Sequence, residues 1–139
     1  MRVGGRSLPV SMGRIRQIVE TVLHKEKCDA GFSITFLGIV RMRQLNRRHK
    51  GHDWPTDVLS FPLPAPDGTL MGDIYICSLV ARQQARRFGV SERQEFTRLI
   101  VHGILHVLGY EHPDDAGREH SPMWQRQEKY VRLLAGKGR

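Results

Sequence analysis

Apolar residues recur along the 139-residue chain with two different periods. Between residues 10 and 25 (VSMGRIRQIVETVLHK), Ile15, Ile18, Val19 and Val22 fall three and four apart, which predicts an amphipathic helix. Phe32 to Leu37 (FSITFL) is rich in β-branched and aromatic residues and reads as a strand. Residues 39–49 form a short basic helix, and Gly51 and Pro55 mark a loop after it. Asp57–Phe61 (DVLSF) is a short strand closed by Pro62, Pro64 and Pro66, Asp67-Gly68 is a turn, and 72–77 (GDIYIC) alternates as the second strand of a hairpin-like pair. Ser78–Phe88 is helical and basic and stops at Gly89. Ser91, with Gln94 three residues on, opens the next helix, which runs to about Leu108 before Gly109. Its Phe96, Leu99, Ile100, Ile104, Val107 and Leu108 are too apolar for a surface helix, so it belongs at the centre. A last helix covers about His120–Leu134. Strands in the first half and helices in the second predict an α+β fold, one domain over 1–139, with a small mixed β-sheet packed on the central helix.

Composition adds a setting. A chain that is 40% hydrophobic and 26% charged is globular in type. No apolar run has the length to span a bilayer, and the N-terminal stretch MRVGGRSLPVSMGRIRQ lacks the apolar core of a secretion signal. Cys28 and Cys77 stand too far apart in sequence for a disulfide framework or a CxxC site, so both read as packing residues in a reducing cytoplasm. The net charge of +8 favours polyanionic partners such as RNA, DNA or an anionic membrane, with a solvated basic surface as the alternative.

The chemistry concentrates in His102-Gly-Ile-Leu-His-Val-Leu-Gly-Tyr-Glu-His112. His102 and His106, four apart on a helix, project from one face. Gly109 lets the chain turn and bring His112 back toward them. Three imidazoles with an open fourth position form the ligand set of a catalytic zinc site, where the metal makes hydroxide available at neutral pH. A four-ligand structural site with His120 or Asp114 is the alternative. The spacing matches H-E-x-x-H-x-x-G-x-x-H of the metzincin proteases at every position but one: Gly103 stands where their glutamate base belongs, which disfavours peptide hydrolysis.

These residues also carry a family resemblance. HGILHVLGYEH resembles the HGxLHxxGYDH motif of the YbeY family of bacterial endoribonucleases, or rRNA maturation factors. Leu45-Asn46 followed by Pro55-Thr56-Asp57-Val58-Leu59-Ser60-Phe61-Pro62 is similar to that family's LN…PTDVLSFP segment, and Gly72-Asp73-Ile74-Tyr75-Ile76 to its GDI-x-I strand. The blocks keep the family's order over residues 45–112. The resemblance implies a zincin-like site on the central helix, with one zinc ion per chain held by His102, His106 and His112. It also implies a cytoplasmic endoribonuclease of single-stranded RNA that matures the 3′ end of small-subunit ribosomal RNA and serves ribosome quality control. Its partners would then be ribosomal RNA, the small ribosomal subunit and assembly proteins, with no membrane role. Two positions depart from the family: Glu111 replaces an aspartate, and His49-Lys50 replaces a Tyr-Arg pair, so a bidentate fork becomes a point charge.

Roles follow for the remaining groups. Lys50 is expected to neutralise the scissile phosphate, and Glu111 to orient a ligand, act as acid or base, or pair with Arg118. Asp114 and Asp115 are candidate acceptors for ligand imidazoles, and Thr56 and Ser60 candidate substrate donors or turn caps. Arg41, Arg43, Arg47 and Arg48, or Arg82, Arg86 and Arg87, would form a track for the RNA backbone if either group borders the metal. Trp54 is expected in the core, with base stacking as its alternative. Two rivals to the nuclease stand: a zinc hydrolase of another substrate class, and a non-catalytic, zinc-stabilised ribosome-assembly factor.

Overall fold

A computed structural model describes residues 1–112 and 116–137. In chain order it contains β1 (Arg2–Gly4), α1 (Met12–Glu26), β2 (Gly31–Leu37), α2 (Ile39–Lys50), β3 (Val58–Pro62), β4 (Met71–Cys77), α3 (Ser78–Phe88) and α4 (Glu92–Val107). A 3-10 turn (Ala116–His120) and α5 (Pro122–Ala135) complete it. The strands form one mixed sheet in the order β1-β2-β4-β3: β1 and β4 run parallel to β2, and β3 runs antiparallel to β4. The expected α+β class and the β3–β4 pair are both present. The strand β1 was not expected, because three residues carry no readable period; pairing with Ser33, Ile34 and Thr35 of β2 makes it a strand.

Helix ends follow local chemistry. Ser11, Ser91 and Ser121 are extended N-caps whose hydroxyls accept from the backbone N–H three residues on, at 3.1, 3.0 and 3.2 Å. Gly51 and Gly89 close α2 and α3 in the left-handed conformation.

The pleat divides the sheet's side chains between two cores. Phe32, Ile34 and Phe36 of β2 and Ile74 and Ile76 of β4 meet Ile15, Ile18 and Val22 of α1 and the apolar residues of α4. On the opposite face Leu59, Phe61, Tyr75 and Cys77 pack with Met42 and Leu45 of α2. Eleven of the sixteen residues of α4 are buried, which makes it the central helix. It lies close on β4 because two glycines face each other's elements. A Cβ on Gly103 would sit 2.7 Å from Ile74 Cγ2, and one on Gly72 would sit 2.3 Å from Val107 Cγ2. Gly103 is thus a packing position against the sheet, and it has no room for the glutamate of a metzincin.

Two expectations fail. Trp54 is 56% exposed and stacks on His52, with ring centroids 4.6 Å apart, because its loop lies beyond the end of α2 and away from both cores. Cys77 is buried as expected, but Cys28 is exposed, since it follows the left-handed cap Lys27 in the turn that leaves α1. Among the described residues no helix is long and apolar enough to cross a membrane.

Candidate metal centre

Helical spacing puts His102 and His106 on one face near the end of α4, and the turn at Gly109 (φ 105°) returns His112 to them. The ring centroids lie 4.6, 5.0 and 5.0 Å apart. One nitrogen from each ring falls within 4.8 Å of the others, and the Nε2 atoms of His102 and His112 are 3.4 Å apart. Tetrahedral ligands at a zinc–nitrogen distance of ~2.05 Å are separated by ~3.3 Å. The trio therefore forms a group that could hold a metal ion.

The outer nitrogens are engaged. His102, 6% exposed, places Nδ1 2.6 Å from Gln127 Oε1, and Gln127 is itself 1% exposed on α5. The Gln127 amide cannot turn over, because its Nε2 donates to Glu128 Oε2 at 3.0 Å and a carboxylate only accepts. Glu128 is held in turn by Arg98 through two bonds of 2.9 Å, and Arg98 also donates to the buried Glu95 at 2.9 Å. His106 places Nδ1 3.0 Å from the Tyr110 carbonyl. Tyr110 is tied down at its other end, where its hydroxyl donates to Glu26 Oε1 at 2.7 Å. Glu26 also accepts from the Tyr130 hydroxyl and, at 2.9 Å, from Arg126. Both Nδ1 atoms face oxygen acceptors, so they carry the protons and the Nε2 lone pairs point inward.

Burial lowers the pKa of His102 to about 4, against the opposing bond from Gln127. Burial, and then the neighbouring His112, lower that of His106 as well. Both shifts favour the uncharged imidazole, the form that can bind a metal ion. The inward Nε2 of His102 lies 3.4 Å from Nε2 of His112, a spacing that a shared metal ion fits.

The trio opens into a cleft of about 590 Å³. Lys50, Thr56, Ser60, Glu111 and Arg118 line it. Lys50 is exposed at the end of α2, close enough for its charge to act on His106. Glu111 is also exposed in the lining of this cleft and, among the described residues, forms no ion pair with Arg118. Thr56 donates to Asp57 Oδ1 at 3.3 Å, the same oxygen that receives the Val58 N–H at 2.7 Å. Asp114 and Asp115 lie outside the described residues. Neither arginine group borders this cleft: Arg43 is paired with Asp53, Arg82 with Glu92, and Arg41 and Arg48 line a separate groove. A second cleft of about 290 Å³ adjoins the first and shares Asp57, Val58, His102 and Arg118 with it.

Sequence reasoning missed Gln127, Tyr110 and Glu26, and named Arg118 only as a partner for Glu111. Gln127 left a trace: it interrupts the apolar stripe Met123, Tyr130, Val131, Leu134 at a core position of α5. The partnership of Glu26 with Tyr110 spans 84 residues and has no local pattern.

Comparison with known proteins agrees with this geometry. Residues 8–135 match the family model described as Endoribonuclease YbeY. The Endoribonuclease YbeY of Thermotoga maritima is 33% identical over 125 residues, 90% of this chain and 81% of its own length. That of Chlorobium luteolum is 36% identical over 119 residues, 84% and 83% of the two chains. A Thermotoga maritima protein of known solution structure superposes with a TM-score of 0.70 at 31% identity, over 97% of this chain and 89% of that one. The three imidazoles and their supports therefore stand within a match that takes in nearly every residue, and the chain belongs to the Endoribonuclease YbeY family.

Proposed function

We propose that this endoribonuclease holds one zinc ion on His102, His106 and His112. With it the chain would cleave single-stranded ribosomal RNA in the cytoplasm, in maturation of the 3′ end of the small-subunit RNA. The observation that carries this reading is the convergence of three imidazoles in an open cleft that also contains a lysine. The small ribosomal subunit and its assembly proteins are the partners that this role requires.

When bound, zinc supplies a Lewis acid and lowers the pKa of a coordinated water from 15.7 to ~7. The chain's own residues do the rest. Gln127 and the Tyr110 carbonyl keep the protons of His102 and His106 on Nδ1, which leaves Nε2 free to ligate. Lys50 offsets charge on the phosphate from the α2 side of the cleft. Glu111, exposed beside His112, would take a proton from the attacking water and return it to the leaving oxygen. Thr56 and Ser60 offer hydroxyls to the ribose and phosphate.

The test is cleavage of a single-stranded RNA and a matched duplex by the purified chain, before and after chelation and after zinc is returned. Internal cuts in the single strand that vanish on chelation and return with zinc support the proposal. Cleavage that survives complete removal of metal contradicts it.

A further inference from the structure

We propose that Arg118 is a phosphate ligand of this nuclease, gripping the RNA backbone at the seam of the two clefts; the proposal rests on the RNA-cleaving function given above. Arg118 lines both clefts, with His102 as their shared floor. Its Nε is buried and, among the described residues, has no hydrogen-bond partner. Among the described residues its guanidinium pairs with no carboxylate, although Asp57, Glu111 and Glu119 belong to the same walls. A buried donor without an acceptor is rare in a folded protein, and an anion at this seam would satisfy it.

The rest of the side chain is held ready. The Arg118 carbonyl accepts from the Ser121 hydroxyl at 2.7 Å and from the Ser121 N–H at 3.2 Å, which ties the backbone to the cap of α5. Its guanidinium carbon lies 5.6 Å from the centre of the Trp124 ring, on the first turn of that helix. A planar fork fixed on an aromatic shelf, with unpaired N–H groups, matches two oxygens of one phosphate. Its charge is also felt by His106, so the anion it holds lies near the metal ligands. Lys50 is the point charge of this cleft, and Arg118 is its fork.

The experiment measures binding of a fluorescein-labelled, 2′-O-methyl single-stranded oligonucleotide to the zinc-loaded chain across a salt series. Wild type is compared with Arg118→Ala and Arg118→Lys, with metal content and melting temperature as controls. Arg118→Ala is expected to weaken binding about tenfold at low salt. The slope of log affinity against log salt should fall by about 0.7, the value for one phosphate contact on a single strand. Arg118→Lys should restore the slope without the full affinity. Wild-type slope and affinity in Arg118→Ala overturn the proposal, as does a loss of binding accompanied by a lowered melting temperature and an unchanged slope. Inorganic phosphate, followed through the 15N resonance of Arg118 Nε, separates the two levels of inference. If the wild type ignores the oligonucleotide but phosphate moves that resonance, the RNA function fails and the anion site stands. If phosphate leaves the resonance unmoved as well, Arg118 is no phosphate ligand.

Discussion

On the helical wall of the cleft, His102 and His106 come from a buried helix and each has its Nδ1 engaged by an oxygen fixed at its other end. On the facing wall, Lys50 ends a basic helix in solvent, and Thr56 and Ser60 sit half-buried on or beside an edge strand. The difference matches what each wall would hold under the proposed function. Metal ligands need their lone pairs aimed within a few tenths of an ångström, which only locked rotamers and tautomers provide. On the α2 side an exposed lysine would meet the phosphate backbone as a point charge that needs no fixed geometry. Rigidity is concentrated where coordination requires it.

The comparison can be broken most severely on the helical wall. Gly103→Glu, which restores the residue a metzincin would carry, forces atoms into Ile74 of β4. It should destabilise the fold by roughly 3 kcal/mol or more, read by denaturant unfolding, and should create no peptidase activity. A stable variant would mean that α4 can lift off the sheet. Next comes Gln127→Leu, which keeps the packing and removes the acceptor of His102. Zinc affinity should weaken by about 10–100-fold in a chelator competition, with the fold retained; unchanged affinity would make the Gln127 bond incidental. On the facing wall, Lys50→Ala should lower RNA cleavage about tenfold and leave zinc content unaltered, the reverse of the Gln127 pattern.

The smallest effect sharpens the picture through pH. Burial would raise the pKa of Glu26, but bonds from Tyr130, Tyr110 and Arg126 outweigh it and hold the carboxyl below its ordinary 4.5. The unfolded chain therefore binds the proton first. The stabilisation is complete above the unfolded pKa and is lost as pH falls through the folded one. Unfolding free energies of the metal-free chain from pH 7 to 3 should decline less steeply in Glu26→Gln than in wild type. Parallel curves would remove Glu26 from the support of Tyr110.

What was legible in the sequence divides along the same line. The imidazole trio was readable because its ligands lie within eleven residues, where helical spacing and one glycine fix the geometry. The caps Ser91 and Gly89 and the strands β2, β3 and β4 were readable because their chemistry is local. The supports of the trio were not, since Gln127 and Glu26 reach the site only through packing of α5 and α1 against α4. Trp54 misled because aromatic residues bury area wherever a core is within reach, and its loop has none. Whether the basic groups of α2 and α3 border the metal was left open in the sequence, because charge there does not say which way a helix face points.

The most direct measurement is metal content by mass spectrometry on the wild type and His112→Ala, with circular dichroism and cleavage of a single-stranded RNA on the same samples. About one zinc per wild-type chain is expected. In the variant, zinc and cleavage should be lost together while the helical signal is kept. Zinc lost with unfolding, or RNA left uncut by a zinc-loaded wild type, would contradict the proposed function and assign the metal to the fold.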